Sequence, residues 1–112
     1  SVQVPNGKKL VALTFDDGPY HPYTQKLLAV LEEKQVKATF FMVGNNAVKN
    51  PEVVTLVTSK GHEVALHAEE HKDFLKLNEQ ELVGNILRGK KLLEELTGKP
   101  VKYLRPPHGF RD

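Results

Sequence analysis

Short apolar runs alternate with amphipathic segments along the chain, and this alternation restricts the folds that the sequence can adopt. The apolar runs span residues 10–15, 38–43, 62–66 and 101–104. The first two are continuous and rich in β-compatible residues, as is typical of strands buried on both faces. The sequence therefore predicts four strands, of which the last two are shorter.

The three intervening segments, 24–35, 50–61 and 78–98, have the apolar spacing of helices that bury one side. Residues that commonly begin or end helices bound each of them. These are Thr24, Asn50 and Asn78 as N-caps, Pro51 in a first turn, Glu81 completing a capping box, and Gly61 and Gly98 at the ends. The order is β-α-β-α-β-α-β, which predicts an α/β fold of parallel strands joined by right-handed crossovers.

Polar residues follow three of the predicted strands. Asp16 and Asp17 follow the first, His67 and His71 the third, and Arg105 the fourth. Because chemistry in such folds gathers at the carboxyl ends of parallel strands, we expect these side chains to share one edge of the sheet.

The acid pair in Thr14-Phe15-Asp16-Asp17-Gly18-Pro19 predicts a metal centre. Two adjacent carboxylates at the end of a buried strand repel each other, and a bound cation removes that penalty. One acid then serves as a ligand while the other stays free as a base. An Asp-Asp-Gly sequence is also found in simple turns, so the pair alone leaves both interpretations open.

The spacing His67-x-x-x-His71 strengthens the metal hypothesis, because imidazoles four residues apart on a helical turn can share one ion. The other histidines, His21, His62 and His108, are expected not to be ligands. The aromatic residues Phe15, Phe40 and Phe41 are expected to lie in the core. Tyr20, on the loop after the acids, and Pro107 are expected to contact a substrate.

Composition excludes several other classes of protein. The chain has 112 residues, with 16 Lys and Arg against 14 Asp and Glu, and the charges are scattered. No basic stripe with interleaved aromatic residues points to nucleic acid. The absence of cysteine removes disulfides, thiolate ligands and a Cys nucleophile. Four strands do not close a barrel, so we expect residues 1–112 to be the N-terminal portion of a domain that was truncated or cleaved before the barrel closes.

The three motifs resemble those of the polysaccharide deacetylase family with the NodB homology domain, carbohydrate esterase family 4. The resemblance covers Lys9 to about Gly109, and its third motif is Arg105-Pro106-Pro107-His108-Gly109. It implies a distorted (β/α) barrel and removal of acetyl groups from N-acetylglucosamine polymers, most of all peptidoglycan. It also implies an extracellular or cell-envelope location in a bacterium.

The resemblance implies a role for each matching residue. Asp16 resembles the catalytic base, and Asp17, His67 and His71 resemble the ligands of a divalent metal, usually zinc, with cobalt an alternative. Arg105 resembles the residue that orients the base, and the backbone N–H of His108 resembles the oxyanion donor. The general acid is expected on a later motif, beyond residue 112, so this segment alone is expected to be inactive.

Other functions remain open at this point. Ala68 stands where the family usually has Ser or Thr, and together with the expected truncation it motivates a non-catalytic glycan-binding relative as one alternative. Leu66 replaces a frequent Asn, and both changes alter the surroundings of the ligands and so bear on metal affinity and ion preference. Chitin oligosaccharides and acetylxylan are alternative substrates. A phosphotransferase of the haloacid dehalogenase type also places acids after a first strand, but it requires Asp-x-Asp-Gly-Thr and has no use for the histidine pair.

Overall fold

The computed structural model describes residues 2–3, 12–68 and 79–106, with side chains from residue 13 onward. Within these residues the chain forms, in order, β1 (Val2–Gln3), β2 (Ala12–Asp16), α1 (Tyr23–Glu33), β3 (Ala38–Val43), α2 (Gly44–Lys49), α3 (Pro51–Ser59), β4 (Glu63–His67), α4 (Glu79–Thr97) and β5 (Leu104–Arg105). None of the helices in this part of the chain has the length and apolar character needed to cross a membrane.

The strands form one sheet in the order β1-β2-β3-β4-β5. The last four are parallel, and they form a curled half-barrel that alternates with helices, which confirms the predicted α/β class. The antiparallel pairing of β1 with β2 was not predicted. A two-residue strand has too little sequence pattern to be recognised.

The predicted segments agree with the observed ones to different degrees. β3 has the predicted bounds of residues 38–43, and β4 is shifted by one residue from the predicted 62–66. The predicted fourth strand, 101–104, is wrong in its first three residues, because only Leu104 and Arg105 pair with β4. The short helix α2 was not predicted, since its six residues, GNNAVK, contain no apolar stripe.

Two of the predicted helix caps behave differently in the structure. Helix α1 begins at Tyr23, so the prediction that Thr24 is its N-cap is wrong. The hydroxyl of Thr24 instead accepts a hydrogen bond from the backbone N–H of Tyr20 at 2.9 Å, which binds the preceding loop to the helix. Asn50 and Pro51 occupy the predicted N-cap and first helical positions of α3, but the Asn50 side chain does not cap the helix. Asn78 lies outside the described residues.

The two faces of the sheet have different environments. Phe40, Met42, Val64 and Leu66 point to the helices and are buried in the main core, together with Leu93 of α4. Because side chains alternate along a strand, residues between these positions point to the opposite face. The register places Asp16 beside Phe41, and His67 beside both Val43 and Arg105 on that second face.

Candidate active site

The loop after β2 turns the two acids in different directions. Asp16 is the last residue of β2, whereas Asp17 has a φ of 66° and Gly18 a φ of 84°. The left-handed conformation at Asp17 is uncommon for a residue with a side chain, although Asp tolerates it better than most. Asp16 therefore continues along the strand, while the chain reverses at Asp17 and Gly18.

Neighbouring elements fix this loop through its carbonyl oxygens. The backbone N–H of Val43 donates to the carbonyl of Gly18 at 3.0 Å. The side-chain amide of Asn50 donates to the carbonyl of Pro19 at 3.2 Å and to that of Asn46 at 3.1 Å. The ends of β3 and the start of α3 therefore hold the acid loop in place. Sequence reasoning missed this role of Asn50, because it depends on a contact between residues 31 positions apart.

Asp17 and His67 approach each other from separate loops. Asp17 Oδ1 lies 3.6 Å from His67 Nε2. The other ring nitrogen, Nδ1, is 2.9 Å from the carbonyl oxygen of Ala68. Since a carbonyl can only accept, Nδ1 carries the proton, and in the neutral ring the Nε2 lone pair points towards Asp17.

These two side chains fit a metal centre. A histidine that donates its second N–H to a carbonyl is the usual arrangement of a metal-binding imidazole. Zinc bonds of about 2.0–2.2 Å at a tetrahedral angle place two ligand atoms about 3.4 Å apart, close to the observed 3.6 Å. The main chain of Ala68 supplies this orientation, so the missing hydroxyl at position 68 does not affect it.

Arg105 binds Asp16 across the second face of the sheet. Its guanidinium donates a hydrogen bond to Asp16 Oδ1, and its Cζ lies 4.2 Å from the centre of the Phe41 ring. Phe41 is buried, as predicted, but it lies on the same face as the acids and not in the helix-packed core. Sequence reasoning missed the contact of Phe41 with Arg105, because it depends on how β3 and β5 are arranged in the assembled sheet.

The roles of the remaining predicted site residues stay predictions. Tyr20 is 49% exposed on the loop that follows the acids, where contact with a ligand remains a prediction. His71, Pro107 and His108 lie outside the described residues. Within residues 12–68 and 79–106, no three His, Cys, Asp or Glu side chains converge on one point, so the third ligand also remains a prediction.

His62 lies in a buried, hydrogen-bonded environment beside the starts of β3 and β4. It is 5% exposed, and its Nδ1 accepts a hydrogen bond from the backbone N–H of Ala38 at 3.1 Å. Burial, followed by the nearby charge of Lys37, lowers the pKa of His62 below its ordinary value of 6.5. Its neutral ring is therefore part of the packing between β3 and β4.

A cavity lies away from the acids, at the other end of the strands. It has a volume of about 500 Å³ and is lined by residues at the amino ends of the strands, including Thr14, Lys37, Thr39 and Glu63. Asp17 and Asp16 lie at the carboxyl ends, where their side chains are 56% and 41% exposed. The candidate site is therefore an open rim of the half-barrel.

Two acids, a histidine and an arginine at the carboxyl-end rim of a parallel half-barrel lie where (β/α) barrels place their active sites. Comparison with known proteins identifies the family. Residues 3–112 match the polysaccharide deacetylase family, and the chain belongs to it. Members of this family are hydrolases that act on N-acetyl groups.

Relatives of known structure or function resemble the chain over most of its length. A peptidoglycan-N-acetylglucosamine deacetylase of Bacillus cereus is 42% identical over 94% of this chain, which spans 38% of that relative. The crystal structure of the Bc1960 peptidoglycan N-acetylglucosamine deacetylase superposes with a TM-score of 0.82 at 40% identity. That match covers 90% of this chain and 47% of the Bc1960 chain.

A second similar structure is that of a mutant of BA3943, a pseudoenzyme of carbohydrate esterase family 4, with restored enzymatic activity. It has a TM-score of 0.81 and 31% identity, over 94% of this chain and 39% of that one. The chain thus spans less than half the length of each of these relatives.

Proposed function

We propose that the protein is a metal-dependent deacetylase that removes acetyl groups from N-acetylglucosamine polysaccharide, with peptidoglycan as its substrate. The observation that carries the proposal is the pair of contacts at the rim, Asp17 with His67 and Asp16 with Arg105. The first is a candidate ligand pair, and the second holds a carboxylate beside it. Matches to peptidoglycan deacetylases at 40% and 42% identity support the choice of substrate.

Asp17 and His67 would hold a divalent cation, zinc in the first instance and cobalt as an alternative, with His71 as the proposed third ligand. When bound, such a cation supplies a water made acidic near neutral pH and a Lewis acid for the carbonyl oxygen. Oxygen and imidazole nitrogen are ligands that zinc accepts, and the site has no thiolate because the chain has no cysteine.

The two acids have separate proposed roles. Asp16 takes the proton of the attacking water, and the hydrogen bond from Arg105 aims its carboxylate. Asp17 remains a ligand. The backbone N–H of His108 is the proposed donor to the developing oxyanion, which would add electrostatic stabilisation at the point where charge appears. Protonation of the leaving amine requires an acid, and the family resemblance assigns it to a motif that residues 1–112 do not contain.

The alternative is a glycan-binding relative without turnover. The observation that favours it is the similarity to BA3943, because that protein is a pseudoenzyme of the same esterase family. The described contacts favour the enzyme, since Asp16 accepts a hydrogen bond from Arg105 and Asp17 lies beside His67. We also propose an extracellular or cell-envelope location, where peptidoglycan is accessible.

The test measures acetate released by the whole protein from peptidoglycan, chitin oligomers and acetylxylan, with and without a chelator. Chelator-sensitive release that is fastest from peptidoglycan supports the proposal. Faster release from chitin or xylan would change the substrate but keep the reaction. Glycan binding with no acetate release from any of the three would contradict the deacetylase and support the binding protein. Residues 1–112 alone are expected to bind metal but to release no acetate.

A further inference from the structure

Phe41 is the one aromatic side chain among the described residues whose ring contacts Arg105. Phe41 is 8% exposed and lies on the site face of the sheet, beside Asp16 in the register of β2 and β3. Its neighbour Phe40 points to the opposite face, where it packs on Phe15 and His62. The adjacent Phe40 and Phe41 therefore point to opposite faces of the sheet.

Arg105 needs support because its side chain is long and starts far from the residue it binds. Its strand, β5, is separated from β2 by β3 and β4. The register also places Arg105 level with Val43, two residues beyond Phe41 on β3. To reach Asp16, the Arg105 side chain must therefore cross β4 and β3 over the face of the sheet and run back by two residue positions. Phe41 lies at that level on β3, under the guanidinium.

The face of an aromatic ring attracts a guanidinium, and the planar group can stack on it without giving up its N–H donors. The 4.2 Å distance from Cζ to the ring centre is within the range of such contacts. The ring therefore fixes the plane and height of the guanidinium, while its edge donors remain available for the Asp16 carboxylate.

We propose that Phe41 is a positioning residue of the active site: its ring holds the Arg105 guanidinium, and through it the Asp16 carboxylate, in the orientation used for proton transfer. The expected effect of Phe41 on catalysis rests on the proposed function, but its contact with Arg105 does not depend on any reaction. Phe41 contacts neither the candidate ligand pair nor the loop that carries Asp17 in any described interaction, so its substitution should leave metal binding unchanged.

The first experiment needs no turnover. Protons above the face of an aromatic ring resonate upfield, so the side-chain signals of Arg105 should be shifted upfield in the NMR spectrum of the protein. Phe41→Leu should abolish this shift and speed the exchange of the Arg105 Nε proton with water. Phe41→Tyr should retain both features, because its ring keeps the same face. Phe40→Leu is the matched control, which removes a buried ring from the same strand without touching Arg105.

The second experiment measures acetate release and metal binding for the same variants. Phe41→Leu should lower kcat about three- to tenfold, as expected for the loss of one cation–π contact, with KM and metal stoichiometry unchanged. Phe41→Tyr should keep kcat near that of the unmodified protein. Phe40→Leu should change kcat by less than about twofold at a temperature where the variant is folded, because Phe40 lies on the other face of the sheet and independent sites affect each other little.

The outcomes separate this inference from the proposed function. If Arg105 shows no upfield shift in the unmodified protein, or if Phe41→Leu leaves the shift intact, the positioning role is wrong whatever the activity. If the NMR results are as expected but no variant and no unmodified protein releases acetate, the contact stands and the proposed function fails. Equal losses of kcat in Phe41→Leu and Phe40→Leu would show a general packing effect and would overturn the inference.

Discussion

Arg105 on β5 donates a hydrogen bond to the carboxylate of Asp16 at the end of β2, although the two residues are 89 positions apart in the chain. Three strand spacings, about 14 Å in a flat sheet, separate their strands. Side chains that stood upright on a flat sheet would not meet over that width. The contact therefore depends on the curl of the half-barrel, and the proposed site forms only when β2 to β5 have assembled.

The two adjacent acids should respond differently to loss of charge. Asp16→Asn should retain the divalent cation and lose activity by a factor of about 10²–10⁴, the usual contribution of a general base. Asp17→Asn should weaken metal binding, because Asp17 is the acid that faces His67 Nε2. Equilibrium dialysis with zinc, together with acetate release, distinguishes the two effects. Loss of metal in Asp16→Asn with metal retained in Asp17→Asn would exchange the roles proposed for the acids.

Asn50 should affect the acid loop from outside it. Asn50→Asp keeps the size of the side chain but removes the N–H donors to the carbonyls of Pro19 and Asn46. Because carbonyls of a partly buried loop lose their partner, the free energy of unfolding should fall by about 1–3 kcal/mol. Metal affinity should fall about tenfold, as when a group supporting the ligands is lost.

Thr55→Ala is the matched control for Asn50. It also removes a side-chain hydrogen bond from α3, but that bond is exposed and leads to Pro51 within the same helix. The free energy of unfolding should change by less than about 0.5 kcal/mol, and metal affinity should not change. Equal effects of Thr55→Ala and Asn50→Asp on metal affinity would contradict the bracing role of Asn50.

The sequence predicts the strand ends well, and with them most of the rim. The continuous apolar run 38–43 identifies β3, and the rule that parallel strands present their carboxyl ends at one edge brings Asp17, His67 and Arg105 to the same rim. These predictions succeed because burial of a strand on both faces leaves a strong local signal.

The missed features depend on which residues become neighbours in space. Phe41 is apolar like a core residue, and only the assembled sheet places it beside Asp16 and under Arg105 of β5. Thr24 has the chemistry of an N-cap, but its hydroxyl binds the preceding loop because α1 begins one residue earlier. Local propensity does not distinguish the two roles of Thr24, since capping the helix and binding the loop each give its hydroxyl a hydrogen-bond partner.

Two glycines inside α4 should respond in opposite ways to alanine. A Cβ at Gly84 would meet only the end of the exposed Arg88 side chain, at 3.3 Å. Gly84→Ala should therefore raise the free energy of unfolding by about 0.5–1 kcal/mol, the gain in helix propensity. A Cβ at Gly89 would lie 2.9 Å from Cδ1 of the buried Leu66. Overpacking costs about 1–3 kcal/mol, so Gly89→Ala should be destabilising.

Urea unfolding of the two glycine variants measures both effects. In a Leu66→Val background, the penalty of Gly89→Ala should become smaller, because the methyl group that the new Cβ meets is absent. Stabilisation by both substitutions in the unmodified background would show that α4 does not pack closely on β4 at this position.

The buried His62 should make the folded state less stable in mild acid. Its pKa is lowered in the folded protein, first by burial and then by Lys37, whereas the unfolded chain has the ordinary value of 6.5. Between these two pKa values the unfolded state binds more protons than the folded state. The contribution of His62 to stability is therefore complete above pH 6.5 and is lost as the pH falls from 6.5 towards the lowered pKa. Protonation also removes the lone pair that accepts the Ala38 N–H.

Urea unfolding at pH 8, 7, 6 and 5 measures this dependence. His62→Asn keeps an acceptor near the position of Nδ1 but does not titrate, so its unfolding free energy should fall less between pH 7 and 5 than that of the unmodified protein. His21→Asn is the matched control, since His21 is exposed and its ring nitrogen bonds only Gln25 in the described contacts, and its curve should follow that of the unmodified protein. Parallel pH curves for the unmodified protein and His62→Asn would mean that His62 ionises alike in the folded and unfolded states, and the packing of β3 on β4 would then not depend on its neutral form.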